Sequence, residues 1–221
     1  MYFFGNFSRI VDSHAVCKSL LQSMKAEKDL VLGLKKGDSE ALSMIYDQYY
    51  EGLYFYLLKF TSQKDLVQNA VQDLFVDLWA SRSKLGEINS LKGYLFVSGK
   101  RKLYHLIKSN KKKQIVDLAF PTVVDGMLFQ YSQEDFLVEI ETNEERKDRL
   151  LTAINRLPSR QKEAIYLRYY EKLNLEEISQ IQGIAYQSVL NNLQRALHTL
   201  RSNPLIVNLF EWAIFAFICL A

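Results

Sequence analysis

The sequence is poor in the residues that build metal centres, disulfide frameworks and hydrolytic sites. Its 221 residues include only two cysteines, Cys17 and Cys219, which stand near opposite ends without CxxC spacing, so neither a disulfide framework nor a zinc site is predicted. The histidines His14, His105 and His198 are far apart, and no glycine-rich phosphate loop is present. We therefore expect no enzyme activity, no cofactor, no metal and no small-molecule substrate, and a reducing cytoplasm is the expected compartment.

Residues that break helices are also scarce, with three prolines and nine glycines. Long stretches have apolar residues at helical period, and few stretches show the apolar and polar alternation of a strand. The content of 48% apolar and 13% aromatic residues is enough for hydrophobic cores. There is neither an internal repeat nor a low-complexity tract. These features predict an all-α fold of two small helical domains, an N-terminal helical bundle and a C-terminal helix-turn-helix, joined by a linker.

The last quarter of the chain, 157–201, has the layout of a helix-turn-helix with its turn at 182–184. Gly183 suits the left-handed conformation that ends a helix, and Asn174 with Glu177 resembles a capping box. Apolar residues recur at helical spacing on both sides of the turn: Leu175, Ile178, Ile181, Ile184, Val189, Leu193 and Leu197.

The opposite face of the second helix is hydrogen-bonding or cationic and carries no carboxylate. Its members are Tyr186, Gln187, Ser188, Asn191, Asn192, Gln194, Arg195, His198 and Arg201. Amides of Asn and Gln pair with adenine edges in the major groove, and Arg pairs with guanine or phosphate. The pattern favours a DNA-reading helix, with an ordinary helical hairpin as the alternative.

Charge is distributed unevenly along the chain. The range 84–113 has nine Lys or Arg and one acid, whereas 114–143 has six acids and no Lys or Arg. The basic block interleaves cations with aromatic rings, an arrangement suited to phosphates and unstacked bases, although a basic block is often just a solvated face. Candidate nucleic-acid contacts here are Lys92, Tyr94, Lys100, Arg101, Lys102, Tyr104, Lys108 and Lys111. The acidic stretch is interpreted as an interdomain linker that spaces the two modules or folds back on their basic faces.

Residues 66–79 form a wide apolar stripe at helical spacing, most of which we expect in the core. Asp73 and Asp77 stand one turn apart without a basic neighbour in the sequence, beside Phe75 and Trp79. Because aromatic residues are favoured interface anchors, this edge is interpreted as a docking site for a basic partner.

In order along the chain, these motifs resemble an RNA polymerase sigma factor of the extracytoplasmic-function group, over Lys28 to Arg201. The matching segments are KGDSEAL at 36–42, VQDLFVDLW at 71–79, YLF at 94–96 with the basic helix that follows, AINRLP at 153–158, and the helix-turn-helix. The sequence departs from the family pattern at Gln68-Asn69, Lys100-Arg101, Ala185 and Leu190. Ala185 replaces a capping Ser or Thr, which removes a cap typically worth about 1 kcal/mol.

The resemblance implies binding and strand opening without covalent chemistry, with core RNA polymerase and promoter DNA as partners. Its implied domains are an N-terminal extension (1–27), a polymerase-docking and minus-ten-reading domain (28–113), the linker (114–143), a minus-thirty-five-reading domain (144–203) and a hydrophobic tail (204–221). Docking residues would be Gln72, Asp73, Leu74, Phe75, Asp77 and Trp79. The basic-block candidates would read and melt the proximal element. The distal element would be read by Tyr186, Gln187, Ser188, Asn191, Asn192, Gln194 and Arg195.

Both ends of the chain leave alternatives open. The apolar start lacks a basic region ahead of Tyr2, so it makes a poor signal peptide, and translation from Met24 is an alternative that intact mass would test. The tail 205–221 could pack on the second domain, bind a membrane-linked anti-sigma protein or contact a membrane. An alternative for the whole chain is a helix-turn-helix regulator that acts without docking on polymerase.

Overall fold

The computed structural model describes residues 27–112, 129–132 and 144–202, and every regular element within these ranges is helical. The helices are α1 (27–35), α2 (Ser39–Leu58), α3 (Lys64–Ala80), α4 (Leu91–Lys112), α5 (Glu144–Asn155), α6 (Ser159–Ile165), α7 (Leu175–Gln182) and α8 (Tyr186–Arg201). A 3-10 turn at Arg82–Lys84 follows α3, and a π-helical turn at Tyr166–Tyr170 follows α6. The prediction of an all-α fold is confirmed.

Helices α2, α3 and α4 pack against one another to form the first half of the molecule. Helix α2 begins where the Asp38 side chain accepts a hydrogen bond from the Glu40 backbone N–H at 2.9 Å, which satisfies one of the orphan donors of the first turn. Gly99 allows α4 to cross α2 closely, because a Cβ there would lie 3.0 Å from Leu53 Cδ1. The predicted stripe on α3 is mostly core, as expected, and Phe96 is fully buried.

Helices α6, α7 and α8 form the helix-turn-helix half. The predicted capping box is confirmed: the Glu177 N–H donates to Asn174 Oδ1 at 2.9 Å, and the Asn174 N–H donates to Glu177 Oε2 at 2.7 Å. Gly183 ends α7 with φ of 64°, as predicted. Ala185 precedes α8 without a side-chain cap, also as predicted.

The short segment 129–132 inserts between the two halves. The Gln130 N–H donates to the Lys59 carbonyl at 3.0 Å, and the backbone of Tyr131 exchanges two hydrogen bonds with the Asn155 side chain. Phe129 is completely buried. The predicted linker therefore supplies core aromatic residues, which its acidic composition did not suggest; the rest of 114–143 lies outside the described residues.

Candidate nucleic-acid interface

Helix α8 presents its polar face outward and its apolar face to α6 and α7. Val189 and Leu193 are buried as predicted, whereas Leu197, which was predicted on the same face, is half-buried. Ala196 and Leu200 complete the buried face. The exposed candidates are Tyr186, Gln187, Ser188, Asn191, Gln194, Arg195, His198 and Arg201, with Asn192 half-buried. The surface available to a groove is thus the one that the sequence predicted.

Two amides on this face are aligned along the helix. Gln187 Nε2 donates to Asn191 Oδ1 at 3.2 Å, one turn apart. The Gln187 amide keeps a second N–H that can donate and the oxygen Oε1 that can accept, which is the donor and acceptor combination that reads an adenine edge. Tyr186 at the start of the helix is 44% exposed, and Arg195 lies two turns further along.

Helix α4 carries the basic-block candidates, and they divide by exposure. Arg101 is exposed, whereas Tyr104 is buried and Tyr94 is half-buried. Lys108 is half-buried, and of Lys111 only the backbone is described. Lys92 and Lys100 point toward the helix-turn-helix half, where each forms an ion pair. The structure therefore does not gather all of these candidates on one open surface.

Helix α3 presents Gln72, Asp73 and Asp77 to solvent. The other predicted docking residues are placed differently: Leu74 and Phe75 are core residues that are 2% and 6% exposed, so they can support a docking surface but form little of it. Trp79, the remaining predicted docking residue, is half-buried.

Trp79 is covered by a neighbouring cation. The Arg82 guanidinium lies 4.3 Å from the centre of the Trp79 ring and donates to the Trp79 carbonyl at 2.8 Å. The interpretation of Asp77 as an acid without a basic neighbour is wrong, since Lys102 of α4 forms an ion pair with it. That partner lies 25 residues away, so local sequence spacing could not reveal it.

Two acids that the sequence interpretation overlooked lie at the contact between the halves. Glu163 accepts hydrogen bonds from Lys100 Nζ and from the Tyr56 hydroxyl, both at 2.6 Å, and Gln182 Nε2 donates to its second oxygen at 3.3 Å. Burial, with the adjacent Glu163 carboxylate, raises the pKa of Tyr56 well above its usual value. Glu171, 6% exposed, is the second of these acids. The sequence signal for this contact was Glu163, a carboxylate directly before the apolar residues Ala164 and Ile165, which are buried in α6.

Among the described residues, no helix is both long enough and apolar enough to span a bilayer. The same part of the chain contains no group of three His, Cys, Asp or Glu residues that could hold a metal ion. The tail 205–221, with the predicted anti-sigma or membrane contact, and the start at Met24 fall outside the described residues.

The chain is similar to known proteins both in its C-terminal domain and along most of its length. Residues 147–200 match the family model of sigma-70 region 4. The chain is 25% identical over 158 residues to the ECF RNA polymerase sigma factor SigM of Bacillus subtilis (strain 168), covering 72% of this chain and 91% of that protein. It is 21% identical over 164 residues to the RNA polymerase sigma factor YlaC of the same organism, covering 74% and 92%.

A solved structure shares the fold. The structure of CnrH in complex with the cytosolic domain of CnrY aligns with a TM-score of 0.51 at 16% identity, covering 79% of this chain and 94% of that one.

Proposed function

We propose that the chain is an RNA polymerase sigma factor of the extracytoplasmic-function group, which binds core RNA polymerase and directs it to promoter DNA. The observation that carries the proposal is the α8 face, whose side chains are hydrogen-bonding or cationic, exposed except for the half-buried Asn192, and free of carboxylates. The proposed boundaries remain 28–113 for the docking and minus-ten domain and 144–203 for the minus-thirty-five domain.

The docking surface that we propose is the exposed edge of α3. Asp73 and Asp77 are exposed there with Gln72, and Val76 between them is 65% exposed. A mixed acidic and apolar edge suits a partner that offers a basic surface with apolar contacts, because charge gives orientation while apolar burial gives affinity. Leu74 and Phe75 hold this edge in place from the core side.

The test is transcription from a genomic-fragment library by core RNA polymerase with and without the protein. New, discrete start sites are expected with the wild-type chain. The docking variant is Asp73→Arg, which reverses one exposed charge without opening the core. We expect it to abolish those starts while the free protein keeps its DNA affinity.

The matched control is Asp65→Arg, which makes the same charge reversal on the same helix, at an exposed position in its first turn. It should retain the wild-type start sites. Starts that survive Asp73→Arg would remove α3 from the docking role. DNA binding without any core-dependent starts would indicate the helix-turn-helix regulator instead.

Reading of the distal element is tested on α8 by Arg195→Ala and Gln187→Ala. A side chain that contacts a base edge costs about 1–3 kcal/mol when removed and relaxes preference at one position, whereas loss of a phosphate contact weakens all sequences similarly. We expect a position-specific loss for Gln187→Ala. Thr199→Ala, an exposed position at the far end of the helix, is the control.

A further inference from the structure

Acidic side chains of the helix-turn-helix half lie directly on the cationic helix α4. Lys100 Nζ is 2.6 Å from Glu163 Oε1, and these side chains are only 8% and 7% exposed. Lys92 Nζ is 2.8 Å from Glu171 Oε2 and also donates to the Glu171 carbonyl at 2.6 Å. Both lysines are predicted nucleic-acid contacts, and in this conformation both are neutralised by carboxylates of the same chain.

The two halves approach closely around these lysines, and the Lys100 side chain is 8% exposed whereas that of Lys92 is 25% exposed. Helix α7 packs on α4, where a Cβ at Gly93 would lie 3.5 Å from Glu177 Cγ. A Cβ at Gly52 of α2 would lie 3.3 Å from Glu171 Oε2. The side chains of Glu177 and Glu171 therefore lie close against α4 and α2 at these two glycines. Because the Lys100 side chain is only 8% exposed, a phosphate reaches it only after the halves separate.

Aromatic rings complete the contact without adding charge. The Tyr56 ring stacks with Tyr166 at 6.1 Å between centroids, and Phe129 lies 6.2 Å from Tyr56 and 5.5 Å from Tyr166. Phe129, in the segment between the halves, therefore contacts a ring of each half at once. The interface thus has an ionic part on α4 and an apolar part beside it.

We propose that this contact is an autoinhibitory latch: Glu163 and Glu171 occupy Lys100 and Lys92 in place of phosphates, and nucleic acid gains these two cations only when the halves open. The proposal rests on the proposed function for the identity of the ligand. The attraction within a buried ion pair is largely offset by the cost of removing both charges from water. Exchanging the carboxylate partner of a lysine for a phosphate therefore changes the free energy little, and nucleic-acid binding can drive the exchange.

The first experiment compares the full-length chain with Glu163→Gln/Glu171→Gln. The radius of gyration from small-angle X-ray scattering should rise in the variant. Affinity for a fluorescent single-stranded oligonucleotide should also become more salt-dependent, because two more phosphates are neutralised. Each neutralised phosphate adds about 0.7 to the slope of log affinity against log salt concentration, so two phosphates should steepen the slope by about 1.4. A fourfold rise in salt should then reduce the affinity of the variant by about sevenfold more than that of the wild type.

Two controls separate opening from charge. Glu51→Gln/Glu176→Gln makes the same charge change at two exposed acids, one on each half, and should keep both the wild-type radius and the wild-type slope. Phe129→Ala changes no charge but removes the apolar part of the contact. It should therefore steepen the salt dependence as the double variant does, and a slope equal to that of the exposed-acid control would overturn the latch.

The opposite perturbation locks the halves together. Gly93→Cys with Glu177→Cys, in a background with both native cysteines replaced by serine, places the new sulfur atoms close enough to pair, since the Glu177 Cγ position is 3.5 Å from a Cβ at Gly93. The oxidised chain should have a shallower salt slope than the same chain after reduction, which is its own control. Equal slopes in the two redox states would contradict the proposal.

The two proposals fail in different ways. If the wild-type chain supports no core-dependent initiation, the proposed function fails, and scattering still decides whether the acids hold the halves closed. If initiation is normal but opening leaves the salt slope unchanged, only the latch is wrong. A double variant that stays as compact as the wild type would likewise refute the latch alone.

Discussion

The buried pair of Lys100 and Glu163 makes the sharpest stability prediction. Both side chains are more than nine-tenths buried, and the Nζ to Oε1 distance is 2.6 Å. Removing one partner from such a pair leaves an uncompensated charge in a low-dielectric site, which costs about 3–5 kcal/mol. We therefore expect Glu163→Gln and Lys100→Met each to lower the free energy of unfolding by about 3 kcal/mol.

The double variant Lys100→Met/Glu163→Gln should behave differently. With neither charge present, no charge is left unpaired, and the amide oxygen of the new glutamine can still accept from the Tyr56 hydroxyl. We expect the double variant to fall within about 1 kcal/mol of the wild type, because both the desolvation cost and the attraction are removed together. The two single losses should therefore be strongly non-additive.

The assay is urea unfolding followed by far-ultraviolet circular dichroism, arranged as a double-mutant cycle. Lys64→Met and Glu51→Gln, at exposed positions, are the controls and should each change stability by less than about 0.5 kcal/mol. Single losses below about 1 kcal/mol with an unchanged radius of gyration, or losses that simply add, would refute the reasoning. A small loss with an increased radius would instead mean that separation of the halves returns the orphaned charge to water and limits the penalty.

Three further predictions test local features of the fold. Ala185→Ser should raise the free energy of unfolding by about 1 kcal/mol in thermal melts, because α8 has no side-chain cap there, and an unchanged melting temperature would argue against that cap position. Gly183→Ala should lower it by about 1–2 kcal/mol in the same assay, since φ of 64° strains any residue with a Cβ, and a neutral result would contradict the left-handed geometry. Burial and the Glu163 carboxylate keep the pKa of Tyr56 above that of the unfolded chain, so above about pH 10 the unfolded state loses this proton first and stability falls by about 1.4 kcal/mol per pH unit. Tyr56→Phe should flatten that fall in urea titrations at rising pH, and an unaltered slope would exclude this tyrosine as its source.

Features set by neighbours within one or two helical turns could be predicted from the sequence. Capping by Asn174 and Glu177, the end of α7 at Gly183 and the buried stripe of α8 all follow from spacings of three or four residues. The exposed face of α8 could be predicted as well, because the exposed side of a helix lies opposite its buried stripe. These local rules were sufficient to place the candidate DNA-reading surface.

Contacts between distant segments could not be predicted in the same way. Lys100 and Glu163 are 63 residues apart, and Tyr56 and Glu163 are 107 apart. Phe129 lies in a stretch whose acidic composition is typical of a linker, so its complete burial was not expected. In each case the partner is supplied by the packing of the two halves, about which helical period carries no information.

The ion pairs also change the meaning of the charge block on α4. Along the sequence, three consecutive cations, Lys100, Arg101 and Lys102, follow Lys92 on the same helix and suggest one strongly positive surface. In the folded chain three of them meet carboxylates of other segments, and Arg101 is the exposed member. Since phosphate affinity depends on the cations that can be reached, the closed conformation offers nucleic acid much less of this block than its composition indicates. A change in the relative position of the two halves can therefore alter DNA affinity while every helix keeps its own structure.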